Sequence, residues 1–333
     1  MLSKKMNKVN IKKIAVLTTG GDCPGLNAAV RAVVRSGIYY KLEVLGVVRG
    51  YEGLIDNNFI EMKSHSVSNI LQRGGTVLKT ARSDRFMKPE GRQKAFENIS
   101  AAGVDALVVL GGDGSFRGMD VFTSEHKVRS VGIPKTIDND IYGTDFAIGY
   151  DTAVNTVVQA IDKIRDTADS HDRLFFVEVM GRDAGMIALF GGIGSGAEAI
   201  LIPETNTRIE RIVEILERGW SRKKTSMIVI VAEGDDAGGA YEIARSVKQR
   251  FKQFDTRVSI LGHVQRGGSP SCADRVLASR LGVSAVEALL EGRNNVMLGL
   301  IDNKLSYTSY KDVASRKKEF PSELMRIAEI LSL

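Results

Sequence analysis

Short runs of β-branched and other apolar residues recur along the chain, and each is followed by a glycine-rich turn and then a helical pattern. Clear examples are residues 14–19 before Gly20-Gly21, residues 106–110 before Gly111-Gly112, and residues 227–231 before Glu233-Gly234. Strands that are apolar throughout and alternate with helices are typical of parallel sheets covered on both faces. Ligands of such sheets bind beyond the carboxyl ends of the strands. The pattern predicts an α/β fold with its ligand sites in the glycine-rich turns.

The helical patterns and the chain length predict two lobes. Residues 152–166 read as a helix with Asp151 as its N-cap, and residues 272–290 read as a second helix. A chain of 333 residues exceeds the length at which single cores usually stop growing. We therefore expect two lobes, each a mainly parallel sheet sandwiched by helices. The expected boundaries are 1–149 plus 265–315 for one lobe and 150–264 plus 316–333 for the other.

Composition favours a folded protein of the cytoplasm. Hydrophobic residues make up 43% and charged residues 26%, which is ordinary globular usage. No window of roughly 18 apolar residues occurs, and no apolar segment follows the N-terminal lysines, so neither a membrane span nor a signal peptide is expected. The two cysteines, Cys23 and Cys272, are too few for a disulfide framework and fit a reducing compartment.

The formal charge of +6 is concentrated in short runs. The basic residues involved are Lys4, Lys5, Lys8, Lys12, Lys13, Arg222, Lys223 and Lys224. Aromatic residues are 6% of the chain and are not interleaved with these runs, so the stacking platforms of single-strand binders are absent. We expect no nucleic-acid partner, and we interpret several internal arginines as sites for small phosphorylated ligands.

The first candidate site is the turn at residues 19–27, between a strand and an Ala/Val-rich helix. Adjacent glycines let backbone N–H groups approach an anion, and the helix N-terminus adds a favourable dipole. The turn matches neither the Walker pattern nor the dinucleotide fingerprint. A tight connection without a ligand remains the alternative. Arg31 and Arg35 lie one turn apart on the helix that follows. Two interpretations stay open for this pair, a solvated helix face and an anion pocket.

The second candidate site is Gly111–Ser115, directly after a buried strand. Asp113 stands at the strand end among glycines that leave room for a triphosphate, so it is suited to hold Mg²⁺ against phosphate oxygens. The motif also occurs in other kinase families. On its own, the motif indicates only that the site binds a nucleotide or a polyphosphate.

The third candidate site is the segment 134–140. If this segment is extended, Thr136, Asp138 and Asp140 project to one side. Carboxylates this close need a cation, which suggests that one supports Mg²⁺ while the other takes a proton from a substrate hydroxyl. An Asx-rich surface turn is the alternative.

A fourth, dispersed set places arginines and a histidine in loops and at strand ends, where guanidinium groups could clamp a sugar phosphate. Each residue alone fits an ordinary salt bridge equally well. The set comprises Arg173, Met180, Gly181, Arg182, Glu233, Arg257 and residues 263–270.

Taken in order, these motifs resemble the phosphofructokinase family. The similar segments are TTGGDCPGLNAAVRAVVR, RGGTVLKTAR, VVLGGDGSFRG, PKTIDNDIYGTD, VEVMGRDAG and LGHVQRGGSP. The resemblance implies transfer of the γ-phosphoryl group of MgATP to the 1-hydroxyl of fructose 6-phosphate, a committed step of glycolysis. A kinase acting on a dinucleotide or lipid would not explain PKTIDND and HVQRGGSP. Intact Asp113, Asp138 and Arg182 argue against a catalytically dead metabolite sensor.

The resemblance also assigns roles to the lobes and to residues. The lobe of residues 1–149 plus 265–315 is implied to be the nucleotide-binding lobe, and that of residues 150–264 plus 316–333 the sugar-phosphate-binding lobe. Asp138 matches the catalytic base, Thr136 and Arg182 match groups that stabilise the transferring phosphoryl group, and Asp140 matches a residue that assists the metal. The implied nucleotide and Mg²⁺ site consists of Gly21, Arg82, Asp113, Gly114, Ser115 and Gly118. The implied sugar-phosphate contacts within one subunit are Met180, Gly181, Glu233, His263 and Arg266.

Further residues are implied to act between subunits. Arg173 and Arg257 match contacts supplied by a neighbouring subunit, which implies a homotetramer. The positions that match the family's effector pocket are Arg31, Arg35, Arg165, Glu198 and Lys224.

Three positions depart from the bacterial pattern. Ser64 replaces an effector-pocket arginine and Asn69 replaces an acidic residue, so weakened control by ADP and phosphoenolpyruvate is expected. Lys135 stands where the bacterial ATP users carry glycine. Pyrophosphate users pair such a lysine with aspartate at the position of Gly114. Gly114 favours ATP as the donor, and Lys135 keeps a pyrophosphate-dependent enzyme as the alternative.

Overall fold

The computed structural model describes residues 10–253 and 255–332. Lys4, Lys5 and Lys8 of the basic N-terminal run lie outside the described residues. The strands are β1 Lys13–Thr18, β2 Glu43–Val47, β3 Phe59–Glu61, β4 Ala106–Gly111, β5 Arg129–Pro134, β6 Arg173–Val179, β7 Ala199–Leu201, β8 Met227–Ala232, β9 Asp255–Ile260, β10 Val296–Ile301 and β11 Lys304–Ser309.

The helices alternate with these strands for most of the chain. They are α1 Leu26–Tyr39, α2 Gly50–Ile55, α3 Pro89–Ala101, α4 Asp113–His126, α5 Tyr150–Asp169, α6 Met186–Ser195, α7 Ile209–Ser221, α8 Ala240–Arg250, α9 Cys272–Leu290, α10 Tyr310–Ser315 and α11 Ser322–Leu331. Two short 3₁₀ helices lie at Ser64–Val67 and Gly262–Arg266. Within the described ranges, no helix combines the length and apolar character needed to cross a bilayer.

The first compact unit contains the residues up to Thr136, residues 141–149 and residues 266–318. Its seven-stranded sheet has the order β11-β10-β5-β4-β1-β2-β3. The five inner strands are parallel, and β3 and β11 pair antiparallel at the edges. Leu17, Val109 and Phe116 belong to the apolar core between this sheet and its helices.

The second unit contains residues 137–140, residues 150–265 and the residues from Glu319 onward. Its four strands are all parallel, in the order β7-β8-β6-β9. Phe176, Val229 and Leu216 belong to its core.

The structure confirms the predicted α/β class. β1, β4 and β8 lie within one residue of the predicted apolar runs, and α9 spans the predicted residues 272–290. The predicted N-cap at Asp151 is wrong, because α5 already begins at Tyr150. Gly149, at φ 101°, adopts the left-handed conformation that glycine tolerates, and the helix follows it directly. The nucleotide and sugar-phosphate roles of the two lobes stay predictions, as do their boundaries.

Candidate active site

Three of the candidate segments meet at one edge of the first unit's sheet. β5, β4 and β1 are adjacent and parallel, so their carboxyl ends lie side by side. Thr19 N donates to Leu110 O at 3.0 Å, and Lys135 N donates to Gly111 O at 3.0 Å. The glycine turn after β1, the turn after β4 and the start of the segment after β5 are therefore neighbours.

Two cations lie against the glycine turn after β1. Lys135, only 4% exposed, donates from Nζ to Gly21 O at 2.5 Å. Arg266 donates from Nη1 to Asp22 O at 3.2 Å. A Cβ added at Gly20 would lie 3.3 Å from Lys135 Nζ, and one at Gly21 would lie 2.9 Å from Arg266 Nη1. Both atoms are the ends of flexible side chains, so the requirement for glycine is strongest at Gly20, whose φ of 81° lies in the left-handed region.

Asp113 is the first residue of α4, at the carboxyl end of β4. Its carboxylate is partly exposed and lies 3.6 Å from the Arg117 guanidinium. A Cβ at Gly111 would lie 2.3 Å from Cβ of the buried Ser115, whereas a Cβ at Gly114 would meet nothing within 4 Å. The space beside Gly114 is therefore open to a ligand.

Buried aromatic side chains hold the first turn of α4 in place. Tyr51 Oη donates to Ser115 O at 2.7 Å, and its ring stacks on Phe86 with centroids 3.9 Å apart. Gly118 lies against both rings, 3.6 Å from each at its Cβ position. Burial raises the pKa of Tyr51 well above its ordinary value, so its hydroxyl remains a donor.

Arg82 is exposed and follows Ala81, whose carbonyl accepts from Gly20 N at 3.4 Å. The structure therefore places Arg82 next to a residue that bonds to the glycine turn, and its nucleotide-binding role stays a prediction. Sequence reasoning missed Thr80, whose hydroxyl donates to Gly20 O at 2.7 Å. It also did not anticipate the contact of Lys135 with Gly21. The only sequence signal for Thr80 was its place in RGGTVLKTAR.

The segment after β5 is not extended, so the expected alternation of Thr136, Asp138 and Asp140 is wrong. Residues 137 and 138 form a bend, and Asn139 has a left-handed φ of 51°. Asparagine tolerates this conformation because its short polar side chain bonds locally.

Backbone hydrogen bonds within the first unit join the start of this segment to residue 148, where the chain returns. Thr136 N donates to Ile148 O, and Ile148 N donates to Pro134 O, both at 3.1 Å. Asp138 is 9% exposed, and Thr136 and Asp140 are partly buried. Their catalytic roles stay predictions.

The second unit gathers Met180–Arg182, Glu233 and His263 at the carboxyl ends of β6, β8 and β9. Glu233 Oε1 accepts from Arg182 N at 2.6 Å and from Gly181 N at 3.3 Å. Arg182 has a left-handed φ of 54°, and its side chain is exposed. The carboxylate therefore holds the turn that presents the Arg182 guanidinium.

Arg173 and Arg257 lie toward the opposite end of the same sheet. Arg173 is the first residue of β6 and Arg257 the third of β9, and Asp255 contacts Arg173 Nε at 3.4 Å and Arg257 Nη2 at 2.6 Å. β6 has seven residues and spans about 20 Å. Arg257 is in register with Phe175, so both arginines lie in the half of the sheet away from the carboxyl end that carries Arg182.

Of the predicted effector residues, Arg31 and Arg35 lie on α1 of the first unit. Arg31 is partly buried and Arg35 is exposed. Burial lowers the pKa of Arg31, and the neighbouring Arg35 charge lowers it further. Two like charges this close fit an anion site.

The other predicted effector residues have partners within the second unit. Arg165 donates to Ser195 O at 2.7 Å. Glu198 is buried, accepts from Ile228 N at 2.6 Å and pairs with Lys224 Nζ at 3.2 Å. These bonds fit a structural role as well, so the effector assignment stays a prediction.

Cys23 is buried in the glycine turn, and its Sγ donates to Ile148 O at 3.2 Å. Burial raises the pKa of this thiol to about 12, although the Lys135 charge lowers it in part. The thiolate is therefore scarce at neutral pH, and Cys23 is poorly suited to redox chemistry. Cys272 is exposed.

The acidic side chains of the site differ from those of a preformed metal site. No group of three or more His, Cys, Asp or Glu residues in the described part of the chain could hold a metal alone. Mg²⁺ is commonly held by one or two carboxylates together with substrate phosphates. Asp113, a partly exposed carboxylate beside the open space at Gly114, fits that mode of binding.

Comparison with known proteins gives consistent matches over most of the chain. The family described as Phosphofructokinase matches residues 13–289. Over 322 residues the chain is 56% identical to the ATP-dependent 6-phosphofructokinase of Cytophaga hutchinsonii, covering 97% of this chain and 98% of that protein. Over 323 residues it is 50% identical to ATP-dependent 6-phosphofructokinase 1 of Thermus thermophilus, covering 97% and 100%.

A solved structure agrees with these matches. Phosphofructokinase from Saccharomyces cerevisiae superposes with a TM-score of 0.86 at 38% identity. The superposition covers 96% of this chain and 46% of the yeast chain, so this chain spans less than half of the yeast protein.

Proposed function

The chain belongs to the phosphofructokinase family, and on that premise we propose that it is an ATP-dependent 6-phosphofructokinase, which phosphorylates the 1-hydroxyl of fructose 6-phosphate. The structural observation that carries the proposal is the meeting of three glycine-rich or polar segments at the adjacent carboxyl ends of β1, β4 and β5. Such an edge binds phosphates through backbone N–H groups and helix N-termini. The reaction is a step of glycolysis, and the cytoplasm is its proposed location.

The proposed chemistry is an in-line displacement at the γ-phosphorus. The hydroxyl oxygen on C1 of the sugar forms a bond to phosphorus, the bond from phosphorus to the β,γ-bridging oxygen breaks, and ADP leaves. Asp138 accepts the hydroxyl proton. Thr136 and Arg182 donate to the equatorial oxygens, where charge collects in the transition state.

Mg²⁺, when bound, neutralises charge on the donor phosphates. Asp113 and Asp140 are the residues proposed to hold it. The backbone N–H groups of the Gly20–Gly21 turn and of Gly114–Ser115, together with Arg82, are proposed to orient the donor.

ATP is the proposed donor because the Gly114 position is open. An aspartate there would crowd and repel the α-phosphate of a nucleotide, and exclusion often decides specificity more firmly than one added attraction. Lys135 favours the alternative, pyrophosphate, by charge alone. Its Nζ bond to Gly21 O, however, leaves the space beside Gly114 unfilled.

The proposed sugar-phosphate site is shared between chains. Arg182 and Glu233 lie at one end of the second unit's sheet, and Arg173 and Arg257 lie toward the other. This separation supports the proposal that the two arginines serve the site of a neighbouring subunit in a homotetramer. Both contact Asp255, so they would enter that site together.

A coupled assay for fructose 1,6-bisphosphate tests the proposed function. Purified protein is supplied with Mg²⁺, fructose 6-phosphate and either ATP or pyrophosphate. We expect turnover with ATP. Formation of fructose 1,6-bisphosphate with pyrophosphate alone would reject the proposed donor, and no product with either donor would reject the proposed function.

A further inference from the structure

The segment that carries Arg82 has no regular backbone structure. It runs from Ser68 to Lys88, between a 3₁₀ helix and α3. Without a strand or helix ladder, its conformation depends on individual hydrogen bonds. The first half is fixed by Asn27, which is 1% exposed and donates from Nδ2 to Arg73 O at 3.0 Å while accepting from Val77 N at 2.8 Å.

The second half of the segment is attached to β1 and to the glycine turn. Thr18 Oγ1 donates to Lys79 O at 2.8 Å, at the end of β1. One residue later, Thr80 Oγ1 donates to Gly20 O at 2.7 Å, and Ala81 O accepts from Gly20 N at 3.4 Å. Both backbone polar groups of Gly20 are thus bonded to the two residues that precede Arg82.

This arrangement fixes the direction of the peptide planes on either side of Gly20. Gly20 has a left-handed φ of 81° and no side chain, so its backbone is intrinsically free to reorient. The hydrogen bond from Thr80 to Gly20 O removes that freedom. Because Gly20 C=O and Gly21 N–H belong to the same planar peptide group, this bond also fixes the direction of the Gly21 N–H. The same bond sets the position of Arg82 relative to the turn.

We propose that Thr80 is a positioning residue for the phosphoryl donor. Its hydroxyl couples the Gly21 N–H and the Arg82 guanidinium, two groups of the donor site, so that both meet the donor phosphates in one preset arrangement. The proposal deepens the proposed function and rests on it. Thr80 acts through Gly21 and Arg82 and is not proposed to contact substrate itself.

The test compares Thr80→Val, which keeps the side-chain shape but removes the hydroxyl, with Thr80→Ser, which keeps the hydroxyl. Thr123→Val is the matched control, because the Thr123 hydroxyl bonds only to Asp120 O within its own helix. For each protein, KM for ATP, KM for fructose 6-phosphate, the equilibrium Kd for MgATP and the midpoint of thermal unfolding are measured.

Loss of one neutral hydrogen bond predicts a rise of about threefold to tenfold in both the KM and the Kd for ATP in Thr80→Val. KM for fructose 6-phosphate stays within about twofold of wild type, because the loss concerns the donor alone. Thr80→Ser restores donor affinity, and Thr123→Val leaves all constants unchanged.

Unchanged ATP affinity in Thr80→Val would overturn the proposal. A parallel loss of affinity for both substrates together with a lowered midpoint of thermal unfolding would also overturn it, because that result would show a purely structural role. If the wild type binds MgATP but does not phosphorylate fructose 6-phosphate, the proposed function fails. The Kd comparison still decides the role of Thr80, since it needs no turnover.

Discussion

Glu233 holds the backbone of Arg182, with its Oε1 2.6 Å from the Arg182 amide nitrogen. Arg182 lies in the left-handed region, which costs a non-glycine residue about 1–2 kcal/mol, so the turn depends on this acceptor. Loss of a hydrogen bond to a charged group costs about 1.5–3 kcal/mol. We therefore expect Glu233→Ala to lower kcat/KM for fructose 6-phosphate by about tenfold to a hundredfold.

Glu233→Gln keeps an acceptor oxygen and should be clearly milder than Glu233→Ala. Glu217→Ala, at an exposed position of α7, serves as the control and should match wild type. Steady-state kinetics with varied fructose 6-phosphate give kcat/KM for the three variants and the wild type. Equal activity of Glu233→Ala and Glu217→Ala would show that the turn does not need the carboxylate.

Asp138→Asn tests the assignment of the catalytic base. The amide cannot accept the hydroxyl proton, so kcat should fall by about 10²–10⁴-fold while KM for fructose 6-phosphate changes little. Asp162→Asn, on the exposed side of α5, is the control. A raised KM with unchanged kcat would reject Asp138 as the base and assign it to sugar binding.

Arg173→Ala tests the shared site. Alone, it should mainly raise KM for fructose 6-phosphate, because it removes a contact to a non-reacting phosphate. When it is refolded together with Asp138→Asn, some sites should combine an intact Asp138 from one chain with an intact Arg173 from another. Activity above the sum of the two separate variants is expected. Mixing Arg173→Ala with Arg257→Ala should give no such gain, since both arginines contact Asp255 and would come from the same chain.

Recovery in the second mixture and not in the first would contradict the shared-site account. Size-exclusion chromatography of each mixture confirms that the variants still assemble.

The sequence patterns predicted the strands that are buried on both faces, because uninterrupted apolar runs such as those of β4 and β8 have few other structural explanations. They also predicted the full extent of α9. The bend at residues 137 and 138 was not predictable from alternation, because Asn139, the next residue, adopts its left-handed conformation in a tertiary setting that no local pattern specifies.

The long-range contacts in the candidate site could not be predicted from the sequence either. Lys135 bonds to a carbonyl 114 positions away, and Thr80 bonds to one 60 positions away. The Lys135 contact depends on β4 lying between β1 and β5 in the sheet, and sheet order is set by packing of the whole unit. The family resemblance identified Arg82 but gave no reason for its position beside Gly20.

Two substitutions test the donor assignment. Gly114→Asp should lower kcat/KM for ATP by about a hundredfold or more, because a carboxylate would fill the open space and repel the nucleotide phosphates. Gly114→Asn separates bulk from charge, and Lys135→Gly should be much milder than Gly114→Asp. Steady-state kinetics with varied ATP provide the comparison. A severe loss of ATP use in Lys135→Gly with little loss in Gly114→Asp would reverse the donor assignment.

A donor competition followed by ³¹P NMR tests directly whether the protein is an ATP-dependent 6-phosphofructokinase. Wild-type protein, Mg²⁺ and fructose 6-phosphate are mixed with equal concentrations of ATP and pyrophosphate. We expect the γ-phosphate resonance of ATP to disappear as a new phosphomonoester resonance on C1 of the sugar grows, while the pyrophosphate resonance persists. Disappearance of pyrophosphate with ATP intact would rule out ATP as the donor, and phosphorylation at any other position would rule out the 1-hydroxyl as the acceptor.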